Sequence, residues 1–579
     1  MGSTTPPKRV LLLTNSEHGQ ANVFLATSYA LLTLEDEDVE VHFASFPPIR
    51  SFVSSTSEYA QHTKPGARPI VFHTIEGVDM VSAWTRPEIE AEQAALKHRS
   101  CIALINAIRR TLVLLKVTLP WTGPEFVQIF HSVTDIIQEV QADIIAVDPA
   151  FSPALTAIRS LNARFIVLSP NTIKDFAMPL QPNGDALWKY PCLGTNYPYP
   201  IPRSLIATNI LLILVCLVVS LLDPNRRRLA AYLRHHMQQP HGTGGGDSRN
   251  GHPNGSSNGD GGNNAVRLTT LADLSLNAPA LGAKFLVANL PEIEFPLRVV
   301  PTHVVPCGPI LRPARPVAEV DPALAEWLRG HPGSGEGGGG GGGGGGSRPA
   351  AVAAPAVVYI NMGTHVFFDE VMAGEMARAV RVLLDRAMEK GWCREQEDNG
   401  VDERVFGKDS VVERVLGEEV RRGVVRIVEW MEAEPTAVLE SGAVVCAVHH
   451  GGANSFLESV SAGVPQVVLP MWMDTYDFAR RAELLGIGRW GNRRANKLCE
   501  GSELGEVLAD VVVSERSVAY AQRAKELADL CKKLGGGRVI AARHILSEIK
   551  TTSAIRPLLP SEGENESDPL LKDRTGESR

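Results

Sequence analysis

The alternation of apolar and polar stretches near the start of the chain predicts a β-α-β unit. An apolar run from Val10 to Thr14 is followed by a loop, by a helix-like stretch from Val23 to Leu34, and by a second apolar run from Val39 to Phe43. Short apolar runs of this kind are typical of buried strands, and the helix between them crosses over the sheet. The unit therefore predicts two neighbouring parallel strands.

The same pattern recurs along most of the chain. Further apolar runs of strand length lie at residues 143–147, 164–168, 357–360, 424–428, 443–448 and 466–469. Strands that alternate with helices form parallel sheets covered on both faces, and such sheets bind ligands at the carboxyl ends of their strands. We therefore predict an α/β protein with two Rossmann-like domains facing across a cleft.

The length of the chain also favours two domains, because 579 residues exceed what one ordinary core accommodates. We predict an N-terminal domain at 8–300 and a C-terminal domain at 301–550. The last helix of the second domain, about 536–550, is expected to cross back to the first. The polar, acidic tail at 551–579 is assigned no fold.

Two low-complexity segments interrupt this plan. Residues 239–264 are rich in Gly, Asn and Ser, and residues 331–349 contain an unbroken glycine run from Gly337 to Gly346. Neither segment can bury enough apolar surface to offset the entropy lost on ordering. Both are predicted to be flexible surface insertions.

One apolar stretch, residues 205–222, is long enough for a helix of about 27 Å, which is close to the thickness of a bilayer core. Arginines flank it at Arg203 and at 226–228. A true span would put the two halves of the cleft on opposite sides of a membrane. Two interpretations of this stretch stay open: a monotopic or interfacial membrane anchor, and an ordinary buried helix.

Composition excludes some classes of protein. Fifty-seven basic residues against 65 acidic residues give a net charge of −8, which offers no general affinity for nucleic acid. The eight cysteines show no paired or metal-ligand spacing, and residues 1–9 lack the apolar core of a secretory signal. We therefore expect reduced thiols and a cytoplasmic protein, peripheral or monotopic on an internal membrane if residues 205–222 bind one.

The stretch from His449 to Asp477 carries the strongest chemical signal. The predicted strand at 443–448 runs into His449-His450-Gly451-Gly452-Ala453-Asn454-Ser455, and a helix is expected to begin directly afterwards. Glycines let the backbone approach a ligand, and a helix N-terminus offers unpaired N–H groups to an anion. Taken singly, these residues also fit an ordinary capped turn. Together they predict a diphosphate site.

This region resembles the donor-binding signature of the family-1 glycosyltransferases, the UDP-glycosyltransferases, and in particular their fungal members. The spacing from His450 to Thr475 matches the family pattern without a gap. The matching positions are Trp430, Pro435, Leu439, His450, Gly452, Asn454, Ser455, Glu458, Gly463, Val464, Pro465, Pro470, Asp474 and Thr475. The resemblance implies a GT-B fold with an N-terminal acceptor-binding domain and a C-terminal domain for the nucleotide sugar.

The resemblance also implies a role for each matching residue in holding a UDP-sugar. Trp430 would stack on uracil, Glu458 would accept hydrogen bonds from the ribose, and Asp474 with Thr475 would hold sugar hydroxyls. The diphosphate would be held by His450, Gly452, Asn454 and Ser455, with Gly363 and Thr364 matching a family loop near the phosphates. No metal cofactor is expected.

The catalytic base is the point at which this sequence departs from the family. Many members carry a His in the loop after the first strand, paired with an Asp that follows a later strand. Asp148 matches the Asp, but Gln20 occupies the His position, and an amide cannot take up a proton. His18, two residues earlier, is a candidate base oriented by Asp148. Asp148 acting directly, or deprotonation by phosphate, remains open.

The predicted function is inverting transfer of a hexose from a UDP-sugar to a hydroxyl of a small hydrophobic acceptor such as a sterol, lipid or secondary metabolite. The hydrophobic acceptor is inferred in part from residues 205–222, which would contact a membrane surface. Two alternatives stay open: a non-catalytic UDP-sugar-binding protein at a membrane surface, made plausible by Gln20, and a nucleotide-sugar epimerase of the same fold.

Overall fold

The computed structural model describes residues 6–553 apart from 88, 90–102, 196, 238–265, 331–355, 365, 367, 391–406, 408 and 496–498. The predicted insertions at 239–264 and 331–349 therefore lie outside the described residues. The predicted tail does too, except for its first three residues, which belong to the last helix.

The N-terminal half is built on a seven-stranded parallel sheet with the order β3-β2-β1-β4-β5-β6-β7. Its strands are β1 (Lys8–Leu13), β2 (Val39–Ser45), β3 (Val71–Thr74), β4 (Ile144–Val147), β5 (Phe165–Ser169), β6 (Phe285–Val287) and β7 (Val304–Pro306). Alternate residues of β1 enter different cores: Val10 and Leu12 pack on one face of the sheet, Leu11 and Leu13 on the other. Helices cover both faces, as the apolar runs predict.

The C-terminal half contains a four-stranded parallel sheet with the order β11-β10-β9-β8. Its strands are β8 (Val357–Ile360), β9 (Val444–His449), β10 (Gln466–Val468) and β11 (Gly488–Trp490). Two parallel sheets in one chain confirm the predicted α/β class with two Rossmann-like domains.

Helices connect the strands in both halves. Those of the first half are α1 (His18–Thr33), α2 (Arg50–Thr63), α3 (Met80–Trp84), α4 (Ala103–Thr118), α5 (Gly123–Val140), α6 (Ser152–Ser160), α7 (Ile173–Ala177), α8 (Asp185–Trp188), α9 (Arg203–Leu221), α10 (Pro224–His236) and α11 (Leu271–Asn277). Those of the second half are α12 (Val317–Val320), α13 (Pro322–Arg329), α14 (Glu370–Glu389), α15 (Val411–Arg421), α16 (Pro435–Leu439), α17 (Ala453–Ala462), α18 (Thr475–Leu484), α19 (Gly501–Val512), α20 (Ser517–Lys533) and α21 (Gly537–Ser553). Short 3-10 turns occupy Pro47–Ile49, Met178–Leu180, Pro182–Gly184 and Pro291–Ile293.

One predicted domain boundary and one predicted strand need correction. The border between 300 and 301 precedes β7, which pairs with β6, so the first sheet extends past it. The predicted strand at 424–428 is wrong, since the segment has no strand partner in the described chain. The N–H groups of Val424 and Val425 instead donate to the carbonyl oxygen of Glu419 at 2.9 and 3.1 Å, which folds the segment back on the end of α15. A short apolar run does not by itself distinguish the two outcomes.

The last helix, α21, returns to the first half of the molecule. Its buried residues Ala541, Ala542 and Ile545 share one core cluster with residues of α1. The Arg164 guanidinium donates to the carbonyl oxygen of Glu548 at 2.7 Å. The last helix of the chain therefore packs against the first half of the molecule, as predicted.

The apolar stretch at 205–222 forms α9, within the one helical segment of the described chain, Arg203–His236, that is long and apolar enough to cross a membrane. It is not a buried core helix, because only 11% of its most apolar window lies inside the protein. Its buried residues Asn209 and Leu212 attach one face of α9 to the domain surface.

Candidate active site

A sharp turn joins β9 to α17 at the carboxyl edge of the second sheet. Gly451 has a φ of +90°, and a Cβ on it would lie 2.9 Å from the backbone oxygen of Thr475. Positive φ and close backbone approach each require glycine, and here they coincide. The turn therefore brings the chain directly against the loop that begins α18.

The side chain of His449 is buried under this turn and stabilises it. Its ring is buried, and burial lowers the pKa of His449 to about 4, so the imidazole is neutral. The Gly451 N–H donates to Nδ1 at 3.1 Å, which leaves the proton on Nε2 for the Gln466 Oε1 atom 2.9 Å away. His449 is therefore a structural residue.

His450 lies in a slot formed by two glycines. A Cβ on Gly363 would lie 2.7 Å from the His450 Cε1 atom, and a Cβ on Gly452 would lie 2.6 Å from Nε2. The ring centroid also lies 5.2 Å from that of Trp472. The structure thus brings Gly363, Gly452 and His450 together as predicted, with Thr364 exposed beside them.

The N-terminus of α17 opens beside this slot. Its N-cap residue, Gly452, makes no side-chain capping bond, so the first-turn N–H groups keep their positive potential available to an anion. Asn454 and Ser455 lie in that first turn and are partly exposed. The Asn454 amide also donates to the carbonyl oxygen of Gly19 at 3.4 Å, so this helix end touches the first domain.

Glu458 follows one turn later on α17. Burial by surrounding protein atoms, together with the nearby carboxylate of Glu434, raises the pKa of Glu458 to about 7. Glu434 is itself paired with Arg312 at 2.9 Å. A carboxyl with this pKa gains its charge near neutral pH, and hydrogen bonds from a ligand's hydroxyls would favour the charged form.

Trp430 is 72% exposed at the edge of the second domain. It follows the irregular segment after α15 and not the end of a strand. A large aromatic face this exposed is available for stacking on a planar ligand group.

The two residues predicted to hold the sugar differ in their surroundings. Asp474 precedes α18, and its pKa is raised to about 7 by burial and by the nearby carboxylate of Asp175. Thr475 is fully buried, and its hydroxyl accepts the N–H groups of Met471 and Trp472, both at 3.0 Å, and donates to the carbonyl of Trp472. The predicted contact of Thr475 with a sugar is therefore wrong, because its own turn uses the hydroxyl.

Asp148 lies buried at the carboxyl end of β4. Its carboxylate accepts hydrogen bonds from Asn15 Nδ2 at 2.5 Å, from the Ala150 N–H at 2.8 Å and from Thr14 Oγ1 at 3.3 Å. Burial, together with the nearby carboxylate of Glu17, raises the pKa of Asp148 to about 7 in spite of these hydrogen bonds. These three donors are the hydrogen-bond partners of the carboxylate in the described chain, so the predicted direct orientation of His18 by Asp148 is wrong.

His18 and Gln20 both lie in the first turn of α1, facing the second domain. The His18 ring packs edge-on against Phe52 with centroids 4.5 Å apart. Gln20 is partly exposed, but its Oε1 atom is buried and accepts no hydrogen bond from any described residue. Glu17 caps the same helix by accepting the N–H groups of Gly19 and Gln20 at 2.8 and 2.9 Å.

Comparison with known proteins agrees with this geometry. The family described as UDP-glucoronosyl and UDP-glucosyl transferase matches residues 415–499, which contain the whole of α17 and α18. The glycosyltransferase sdnJ of Sordaria araneosa is 29% identical over 93% of this chain and 97% of its own length. These matches support a family-1 glycosyltransferase, the enzyme class that the sequence predicts.

Other relatives support the family and its fold. UDP-glycosyltransferase 84A2 of Arabidopsis thaliana is 29% identical over 41% of this chain and 44% of its own length. The solved structure of a UDP-glucosyltransferase from Polygonum tinctorium, capable of glucosylating indoxyl, superposes with a TM-score of 0.53 at 14% identity, covering 95% of this chain and all of that one. The fold is therefore GT-B, and the enzyme uses a UDP-sugar as donor.

Buried ion pairs between the two domains of this UDP-glycosyltransferase were missed by the sequence analysis. Lys174 of α7 pairs with Asp477 of α18, and Arg480 bonds Asp477 at 2.6 Å and the carbonyl oxygens of Thr195 and Tyr197. Although burial opposes it, the two cations hold the pKa of Asp477 below its usual value. We call this group, Lys174, Asp477 and Arg480, the interdomain clamp.

A second missed feature of the glycosyltransferase fixes the α1 loop. Asn15 donates to Asp148 and accepts the Glu17 N–H at 2.7 Å, and Glu17 then caps α1. The chain of bonds runs from Asp148 through Asn15 and Glu17 to the first turn that carries His18. Asn15 and Glu17 gave no signal in the sequence, because neither matches the family's catalytic pattern.

Proposed function

We propose that this UDP-glycosyltransferase moves a hexose, with inversion at the anomeric carbon, from a UDP-sugar to a hydroxyl of a small hydrophobic acceptor. The observation that carries the proposal is the approach of the uncapped N-terminus of α17 to the α1 loop, where Asn454 bonds the Gly19 carbonyl at 3.4 Å. A diphosphate bound at α17 has its sugar beside His18 and Gln20. The donor and an acceptor then meet in one cleft.

In this proposal the donor is held along α17 and its neighbouring loops. Trp430 stacks on the uracil, Glu458 accepts the ribose hydroxyls, and Asp474 accepts sugar hydroxyls. The remaining contacts fall on the diphosphate and are assigned to Gly363, Thr364, His450, Gly452, Asn454 and Ser455. The helix N-terminus supplies positive potential at the leaving group, and we therefore propose that transfer needs no metal.

We assign the base role to His18, which takes the proton of the acceptor hydroxyl as the bond to the anomeric carbon forms and UDP leaves. Gln20, partly exposed in the same helical turn, is proposed to bind the acceptor beside this base. Asp148 is 0% exposed and is assigned a positioning role through Asn15 and Glu17. An acceptor cannot reach a carboxyl that is closed off in this way.

The hydrophobic character of the acceptor is proposed from α9. Its outward leucines and valines offer contact with the surface of an internal membrane, from which a lipophilic alcohol enters the cleft. The enzyme would then be a cytoplasmic protein bound peripherally or monotopically to that membrane.

The test is UDP release from a panel of UDP-sugars with a lipophilic alcohol, comparing wild type with His18→Ala, Gln20→Ala and Asp148→Asn. Loss of a general base predicts a fall in kcat of roughly 10²- to 10⁴-fold for His18→Ala with unchanged UDP-glucose affinity. Gln20→Ala is expected to raise the acceptor KM. His62→Ala, an exposed histidine of α2, is the matched control.

Two results would contradict the proposal. Unchanged turnover in His18→Ala would remove the proposed base. A wild-type protein that binds UDP but consumes no UDP-sugar with any lipophilic alcohol would instead be a binding protein. The anomeric configuration of the product, read by NMR coupling constants, tests inversion separately.

A further inference from the structure

Helix α9 is apolar on all sides, with one face attached to the domain and the other exposed. The inward face is fastened by Asn209, whose Oδ1 accepts the Cys192 N–H at 2.7 Å and whose Nδ2 donates to the carbonyl oxygens of Leu187 and Tyr190 at 3.0 and 2.9 Å. The outward face is apolar. Its large apolar side chains that are exposed, by between 44% and 58%, are Leu211, Leu214, Leu217, Val218 and Leu221, followed by Leu222 at the C-cap. Because the inward face is bonded to the domain, the outward face is the part of α9 that is available to a membrane surface.

An arginine-lined cavity of about 540 Å³ opens at the C-terminal end of this apolar face. Leu221 forms part of its wall, which also includes two aspartates, Asp223 and Asp273, and four arginines, Arg226, Arg227, Arg234 and Arg267. The Arg227 guanidinium donates to the Leu221 carbonyl oxygen at 3.3 Å, so the end of α9 and the cavity are directly continuous.

The cavity carries more positive charge than its own carboxylates neutralise. Arg226 pairs with Asp273 at 2.7 Å, and Asp223 caps α10 by accepting the N–H groups of Asn225 and Arg226. The other three arginines of the cavity are Arg227, Arg234 and Arg267. Each is exposed, and none forms an ion pair with a carboxylate of the described chain. This local excess of cations occurs in a protein with a net charge of −8.

We propose that this cavity binds the phosphate headgroup of an anionic phospholipid while the outward face of α9 enters the acyl region of the same bilayer. The inference rests on the proposed contact of α9 with a membrane and adds the lipid class that it selects. Planar guanidiniums are well suited to phosphate, and basic residues beside an interfacial helix favour anionic lipids.

Other occupants account for only part of this surface. A second copy of the chain could cover the apolar residues of α9, but it would bring a net negative protein and no defined anion to the cavity. A soluble phosphate would neutralise the arginines and leave the leucines in water. An anionic bilayer would cover the apolar residues of α9 with acyl chains and bring a phosphate to the arginines at the end of the same helix.

The experiment measures partition of the full chain onto vesicles of phosphatidylcholine alone and onto vesicles that also contain phosphatidylserine. We expect at least about tenfold tighter binding to the anionic vesicles, weakened by salt. The triple variant Arg227→Gln, Arg234→Gln, Arg267→Gln should lose this preference. A matched triple in the second domain and the returning helix, Arg329→Gln, Arg414→Gln, Arg543→Gln, removes the same charge and should keep it.

Each outcome separates the cavity from the α9 contact. Equal binding to both vesicles overturns the headgroup site and leaves the α9 contact standing, whereas binding to neither overturns both. Binding of inorganic phosphate without any vesicle association, or a dimer that does not bind vesicles, would also overturn the proposal. Leu214→Asn with Val218→Asn should weaken binding to both vesicles, while turnover of a water-soluble acceptor stays at the wild-type level in every variant.

Discussion

Two strand-to-helix loops face each other across the cleft, and they differ in how they cap the helix that follows. The loop before α17 ends in Gly452, which leaves the first-turn N–H groups uncapped. The loop before α1 ends in Glu17, whose carboxylate already accepts two of those N–H groups. The same local architecture therefore leaves helix N–H groups available to an anion on one side and satisfies them on the other. We propose that the capping residue decides which side binds the phosphates.

The largest effect should come from giving the α17 loop the capping chemistry of the α1 loop. Gly452→Asp places a carboxylate where the diphosphate is proposed to bind, so we expect turnover to fall by about 10³-fold or more, with loss of UDP-glucose binding. Gly452→Asn is the matched control, because it has the same shape and the same crowding of His450 without the charge. Equal losses in the two variants would show that crowding alone, and not the anion, decides the result.

The interdomain clamp joins the two domains that carry these loops. Lys174→Met keeps the length of the side chain but leaves Asp477 buried with Arg480 as its remaining cation, so unfolding free energy should fall by about 3 kcal/mol. Urea unfolding followed by tryptophan fluorescence measures the loss. Arg386→Met, which breaks exposed pairs with Glu389 and Glu506, should lower the unfolding free energy much less, because solvent screens these pairs. Similar losses in the two variants would mean that the clamp is no more than a surface pair.

The donor side should also respond to pH. Glu458 has a pKa of about 7, and only its carboxylate accepts two hydroxyl hydrogen bonds, so affinity for UDP-glucose should rise about tenfold between pH 6 and pH 8. UDP-glucose is the suitable probe because its diphosphate is esterified at both ends and does not titrate in this range. Isothermal titration at several pH values measures the change.

Two variants identify the titrating group. Glu458→Gln should remove the part of the pH dependence that comes from Glu458. Asp474→Asn should keep that part and remove only what comes from Asp474, which has its own pKa of about 7. A pH dependence that is unchanged in Glu458→Gln would show that Glu458 does not bind the ribose.

The contrast between the loops also explains how much the sequence could predict. The donor loop is contiguous, and the spacing of His450, Asn454 and Glu458 is enough to locate them on one strand end and one helix. The two-domain α/β fold follows from the apolar runs for the same local reason. Thr475 is the exception, because the hydrogen bonds of its own turn are not visible in a motif.

The acceptor side was less predictable because its parts are distant in the chain. Asp148 meets Asn15 across neighbouring strands, and Lys174 meets Asp477 only after both domains have folded. Sequence spacing carries no information about such pairs. The strand at 424–428 failed for a related reason, since whether a short apolar run joins a sheet depends on what lies beside it.

The smallest effect should come from removing the cap on the α1 side. Glu17→Ala frees two N–H groups of α1 and breaks the chain of bonds from Asp148, at a cost of about 1 kcal/mol in unfolding free energy. Asp321→Ala, which uncaps α13 by removing the bond to the Leu324 N–H, should cost about as much. The two variants should differ in turnover: kcat should fall in Glu17→Ala, because the turn that carries His18 loses its fixed position, and should stay unchanged in Asp321→Ala. If Glu17→Ala gains affinity for an anion such as pyrophosphate without losing kcat, the cap blocks an anion site and does not position the base.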